Sequence, residues 1–149
     1  MSELQKTISE ATKVAMKARD KERVAVLRMV NAEFKRVEVD ERRELSDADI
    51  LSILTKMQKQ RQDSLSQFES AGREDLAAQE RYELEVLQTF MPEPMGAAEI
   101  TAAVAAAIAS TGASGMSDMG KVMGALKSTL SGRADMGAVS AQVKSQLNP

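Results

Sequence analysis

Met91-Pro92-Glu93-Pro94-Met95-Gly96 decides how this chain is organised. Proline lacks the backbone donor that a helix interior needs, and its ring clashes with the preceding turn. Two prolines and a glycine within six residues therefore mark a joint between helical parts. Composition also shifts there. Residues 1–94 carry 16 basic and 19 acidic groups, a balance of −3, whereas residues 95–149 carry four basic and three acidic groups, a balance of +1. The joint separates an N-terminal helical domain, residues 1–92, from a smaller C-terminal domain, residues 96–149.

Upstream of the joint, apolar residues recur at helical spacing. Ser2 and Gln5 read as a capping box opening a first helix with Leu4, Ile8, Ala11 and Ala15 on one face. Val26, Leu27, Val30, Phe34 and Val37 give a second helix, from about Lys21 to Val39, its apolar stripe. Ser46 followed by Asp47 and Asp49 is a strong start for a third, because serine caps the free N–H groups and acids suit the positive helix end. Ile50, Leu54, Met57, Leu65 and Phe68 form its stripe, and Ala71-Gly72 stops it, since glycine takes the left-handed conformation. A fourth helix runs from about Arg73 to Phe90 and presents Leu76, Tyr82, Leu84, Val86, Leu87 and Met91.

Downstream, Ala97–Ser110 is alanine-rich with Ile100, Val104 and Ile108 in helical register. Thr111-Gly112-Ala113-Ser114-Gly115 is a turn, Ser117 caps a helix ending at Leu130, and Ser131-Gly132-Arg133-Ala134 is a second turn. Asp135 caps the last helix. The expected fold is all-α, four helices joined by a proline-containing linker to three shorter ones.

Composition narrows the chemistry. Among 149 residues there is no cysteine and no histidine, which excludes disulfides, thiol nucleophiles and thiolate metal sites. It also removes the commonest general base and a favoured zinc ligand. No catalytic residue, metal site or cofactor is expected. No apolar run reaches the length of about 18 residues that membrane spanning needs, and the first residues lack the basic and apolar regions of a signal peptide. The expectation is a cytoplasmic protein without membrane partners.

Candidate binding residues lie in the C-terminal part. On a wheel of 100° per residue, Met119, Val122, Met123, Leu126 and Leu130 share one side of the Ser117–Leu130 helix. Gly120, Gly124, Lys121, Lys127, Ser117 and Ser128 lie opposite. Each glycine costs a helix about 1 kcal/mol relative to alanine. Two readings offset that cost. Either a sugar–phosphate backbone lies close against the helix and meets Lys121 and Lys127, or another helix of the same protein packs there. In the following turn, Gly132 permits close approach and Arg133 offers a fork-shaped donor suited to phosphate. The alternative is an Arg133 that caps the preceding carbonyls or pairs with Asp118 or Asp135.

A second pattern lies near the N-terminus. Lys21, Arg28 and Lys35 recur every seven residues and form a stripe about 21 Å long on the second helix. Such a ladder can follow a nucleic-acid backbone or simply solvate a surface that also carries Glu22, Glu33 and Glu38. Arg61, on the otherwise apolar side of the third helix, either snorkels or marks a groove between domains. Asp75, Glu80, Glu83 and Glu85 are interleaved with basic residues and read as surface pairing. No nucleotide-binding loop of the GxxxxGK[ST] type is present.

Several runs together carry a family resemblance. They are Ala15-Met16-Lys17-Ala18-Arg19-Asp20-Lys21-Glu22-Arg23, Lys59-Gln60-Arg61, Ala71-Gly72-Arg73-Glu74-Asp75-Leu76, Met119-Gly120-Lys121-Val122-Met123 and Gly132-Arg133-Ala134-Asp135. With them the chain resembles the YqeY-like family over nearly its whole length, and through it the tail domain of the GatB subunit of aspartyl/glutamyl-tRNA amidotransferase. Pro94 departs from the pattern by stiffening the joint. The resemblance implies a noncatalytic accessory protein that binds tRNA, with Gly120, Lys121, Lys127, Gly132 and Arg133 facing it. It also implies a second reading, an auxiliary of glutamine-dependent tRNA transamidation, while the Gly120 and Gly124 face by itself allows a third, a helical adaptor that packs on a partner helix. Aminoacyl-tRNA synthetase or amidotransferase components are the partners the resemblance suggests.

Overall fold

The computed structural model describes residues 1–130 and 133–148, apart from the Ser128 side chain. Seven α-helices and no strand occur among the described residues. They are α1 (Glu3–Lys17), α2 (Lys21–Glu41), α3 (Asp47–Ser70), α4 (Glu74–Gln88), α5 (Ala97–Thr111), α6 (Met119–Leu130) and α7 (Met136–Leu147). A 3-10 turn, Met116–Asp118, precedes α6. The fold is all-α. Its internal contacts group into two units, Met1–Met91 and Pro92–Pro149.

In the first unit α1 packs chiefly on α2, and α3 on α4. Ile8, Leu27, Phe34, Ile50, Leu54 and Leu87 are fully buried at the centre. Each such side chain contributes about 1.5–3 kcal/mol over its exposed state. Leu65, Phe68, Leu76 and Leu84 remain half-buried and outside this core. The apolar stripes of α3 and α4 are thus longer than the core they serve.

Helix ends follow local chemistry in most places. Ser46 and Asp49 form a reciprocal capping box at the start of α3. Gly72, at φ +70°, ends α3, and Gly112, at φ +67°, ends α5. The start of α1 departs from the expected box. The Ser2 hydroxyl accepts the Gln5 N–H, but the Gln5 side chain donates instead to Glu38 Oε1 on α2 at 2.6 Å. A neighbouring free donor of that first turn, the Leu4 N–H, is taken by Asp47 Oδ1 at 2.9 Å. Tertiary partners replace a local cap.

Arg61 also has a specific place. Its Nε donates to Glu83 Oε2 at 3.2 Å, with the two side chains only 15% and 11% exposed. The pair lies within the first unit, so Arg61 neither snorkels nor marks a boundary between domains. Glu83 is likewise a buried partner, not a surface one. Removing one member of such a pair strands a desolvated charge, which costs about 3 kcal/mol.

The second unit has its own core, with Val104 from α5, Val122, Leu126 and Leu130 from α6, and Val139, Val143 and Leu147 from α7. Alanines fill the remaining face of α5, and Ala98, Ala102, Ala105, Ala106 and Ala109 are exposed.

Candidate functional site

Ser117, expected to cap α6, instead lies inside the 3-10 turn that precedes it. The Asp118 carboxylate accepts the Ser114 N–H at 3.0 Å. That bond, assisted by the Lys121 charge, holds its carboxyl below the usual range. From there α6 buries Val122, Leu126 and Leu130 and half-buries Met119 and Met123, the side that the wheel assigns to the core.

The opposite side is bare. Gly120, Lys121, Gly124 and Lys127 are exposed. A methyl group built on Gly120 or Gly124 would meet nothing within 4 Å. Among the described residues no helix of their own unit packs on them, so close packing within the unit does not explain these glycines. The two lysines bracket them, about 120° apart around the axis and about 9 Å along it. Neither lysine has an ion pair among the described residues. What remains is a shallow cationic strip with a smooth floor.

Arg133 is held separately from the lysines. Its N–H donates to the Leu130 carbonyl at 3.0 Å, and its own carbonyl accepts the Met95 N–H at 2.7 Å. Its guanidinium stands 3.8 Å from Glu99 Oε2 on the first turn of α5, with the side chains 41% and 62% exposed. The partner is therefore Glu99, not Asp118 or Asp135; Asp135 instead caps α7 through the Gly137 and Ala138 N–H groups. An ion pair so long and so exposed contributes little, which leaves the guanidinium donors available to a ligand. Gly132 lies outside the described residues.

On α2, Lys21, Arg28 and Lys35 are all exposed and without ion pairs among the described residues. Their neighbours are more engaged. Arg36 pairs with Glu33 and Asp40, and its hydrogen bond holds the Glu33 carboxyl below its ordinary value. The stripe drifts about 20° per seven residues, as any heptad repeat on a straight helix does.

The acids of α4 do not gather. Asp75 pairs with Arg73, Glu83 with Arg61, and burial pushes the Glu80 carboxyl up. No group of three potential metal ligands occurs among the described residues. No single helix is long and apolar enough to cross a membrane.

Sequence reasoning missed the Arg61–Glu83 pair. A signal for it exists, because each residue interrupts the apolar side of its own helix. An isolated base and an isolated acid at core-facing positions of adjacent helices suit one another.

The comparison with known proteins extends this picture. An uncharacterized protein of Schizosaccharomyces pombe is 31% identical over 90 residues, which cover 60% of this chain and 73% of that relative. The profile described as Yqey-like protein matches residues 5–147. Spanning both helical units, that match shows that the chain belongs to the YqeY-like family.

Proposed function

We propose that this protein is a noncatalytic accessory factor that binds tRNA, chiefly through residues 96–149. The observation that carries the reading is the bare face of α6, where two lysines without an ion pair among the described residues flank glycines that have nothing within 4 Å of an added methyl group. A phosphate backbone needs close approach and accessible cations, and this face offers both, with Asp118 near Lys121 but not ion-paired to it among the described residues. Arg133 adds a bidentate donor whose own ion pair is weak. The lack of histidine and cysteine suits holding more than transforming. In this reading the chain works as two helical domains, 1–92 and 96–149, joined by the proline-containing linker. The Lys21, Arg28 and Lys35 stripe supplies a secondary contact.

Binding of purified tRNA to the full chain tests the proposal. Three phosphate contacts imply a loss of affinity of roughly 20- to 40-fold between 50 and 200 mM salt. Lys121→Glu combined with Arg133→Glu is expected to weaken binding at least tenfold further, with helical content by circular dichroism unchanged. A folded double variant with undiminished affinity sinks this site. The same bare face also suits a partner helix. Salt-insensitive retention of a protein, with no RNA recovered, replaces the tRNA reading with an adaptor.

A further inference from the structure

A different surface lies in the first unit, where α2 and α4 enclose a trough of about 800 Å³. Its floor is apolar, with Ala25, Val26 and Met29 from α2 facing Ala78 and Tyr82 from α4. The two alanines make it deep. Met29 is 39% exposed, large for a methionine between two helices. Both walls repeat at i, i+3, i+4 and i+7, beginning at Glu22 and at Asp75, so each runs two helical turns, about 10–12 Å. That length matches two turns along one face of a third helix.

The side chains that line the trough are acidic where they are charged. Glu22, Asp75 and Glu83 line the trough, and no lysine or arginine does. Arg61 neutralises the buried Glu83 through Oε2 and its Nη2 donates to Met29 Sδ at 3.1 Å, so the acids open to a ligand are Glu22 and the exposed Asp75, whose surface pair with Arg73 is weak. Glu22 has no ion pair among the described residues. A carboxylate-lined surface repels phosphate, so the trough is no extension of a nucleic-acid face. Apolar depth with an acidic rim complements one kind of ligand.

We propose that this trough binds a cationic amphipathic helix of a partner protein, with its apolar residues seated on Met29 and Tyr82 and its lysines or arginines over Glu22 and Asp75. The geometry is the helix-in-groove mode, read through anchors at i, i+3 or i+4, and i+7. It stands apart from the principal tRNA site on α6, which belongs to the other unit and is cationic, although the Lys21, Arg28 and Lys35 stripe of the proposed secondary contact shares α2 with the trough.

The probe is a fluorescein-labelled 18-residue Leu/Lys amphipathic helix, with a Leu/Glu peptide of the same pattern as its counterpart. Anisotropy with the full chain is expected to show binding of the Leu/Lys peptide and at least tenfold weaker binding of the Leu/Glu peptide. Ala78→Arg is expected to lower Leu/Lys affinity at least tenfold while leaving tRNA affinity unchanged. Ala78 is exposed, so the variant keeps its fold, as circular dichroism will report, and Met29→Lys provides an independent block. Amide shifts on peptide addition are expected at Ala25, Met29, Ala78 and Tyr82. Undiminished affinity in both variants overturns the proposal, as do shifts confined to other residues. Self-association in sedimentation that Ala78→Arg abolishes also overturns it, because the trough then belongs to a second copy of this chain.

Discussion

Asp49 shows how much one carboxylate can organise. Its Oδ2 accepts the Ser46 N–H at 2.8 Å and the Ser46 hydroxyl at 2.9 Å, closing the cap of α3. Arg43 grips both of its oxygens, at 2.6 and 3.1 Å, and ties the end of α2 to the start of α3. These bonds, that of Arg43 first, hold the Asp49 carboxyl well below the ordinary carboxylate range. A group whose folded-state value is depressed stabilises the fold fully above its unfolded value and loses that contribution as pH falls through the folded one. Asp49→Asn is therefore expected to cost about 1 kcal/mol at neutral pH. In urea titrations across pH, the gap to the wild type should begin to narrow below about pH 4. A gap that is constant down to the acid limit would show that the charge contributes nothing.

At the scale of the element, α6 retains glycine where nothing in its own unit demands it. A side chain at Gly124 meets open space, and alanine is favoured over glycine by about 1 kcal/mol in a helix interior. Gly124→Ala is expected to raise the melting temperature of this unit by about 4–8 °C, read by thermal circular dichroism. Destabilisation would mean that the face is covered in solution. Helix positions were largely legible in the sequence, because Ser46, Gly72, Gly112 and Asp135 act through bonds a few residues long. The side of α6 that faces the core was legible for the same reason. What was not legible depends on distant partners. Gln5 prefers Glu38, 33 residues away, to its own helix end, and Arg61 finds Glu83 across 22 residues. A helical wheel names the outer face of α6, but whether another helix covers those glycines is a matter of tertiary packing. Arg133 lies in a turn as expected, and of the alternatives open for it the pairing with Asp118 or Asp135 fails, since Glu99 reaches it from another helix.

At the scale of the whole molecule, the two apolar clusters have no residue in common. Each should respond to its own cavities. Val139 is fully buried in the second cluster, and Val139→Ala is expected to cost that unit about 2 kcal/mol. Leu54→Ala does the equivalent in the first. Calorimetry should show the two substitutions moving different transitions. A single transition shifted equally by both would reveal one cooperative body.

The exposed alanines of α5 carry a last consequence. Beyond Glu99 they leave the α5 surface without charge, and the cations of residues 92–149 are only Lys121, Lys127, Arg133 and Lys144. A densely charged surface averages over its parts, and losing one group changes little. Here neutralising a single lysine, for example by acetylation, removes a quarter of the positive charge. The electrostatics of this unit are written in so few characters that each one can be edited to effect.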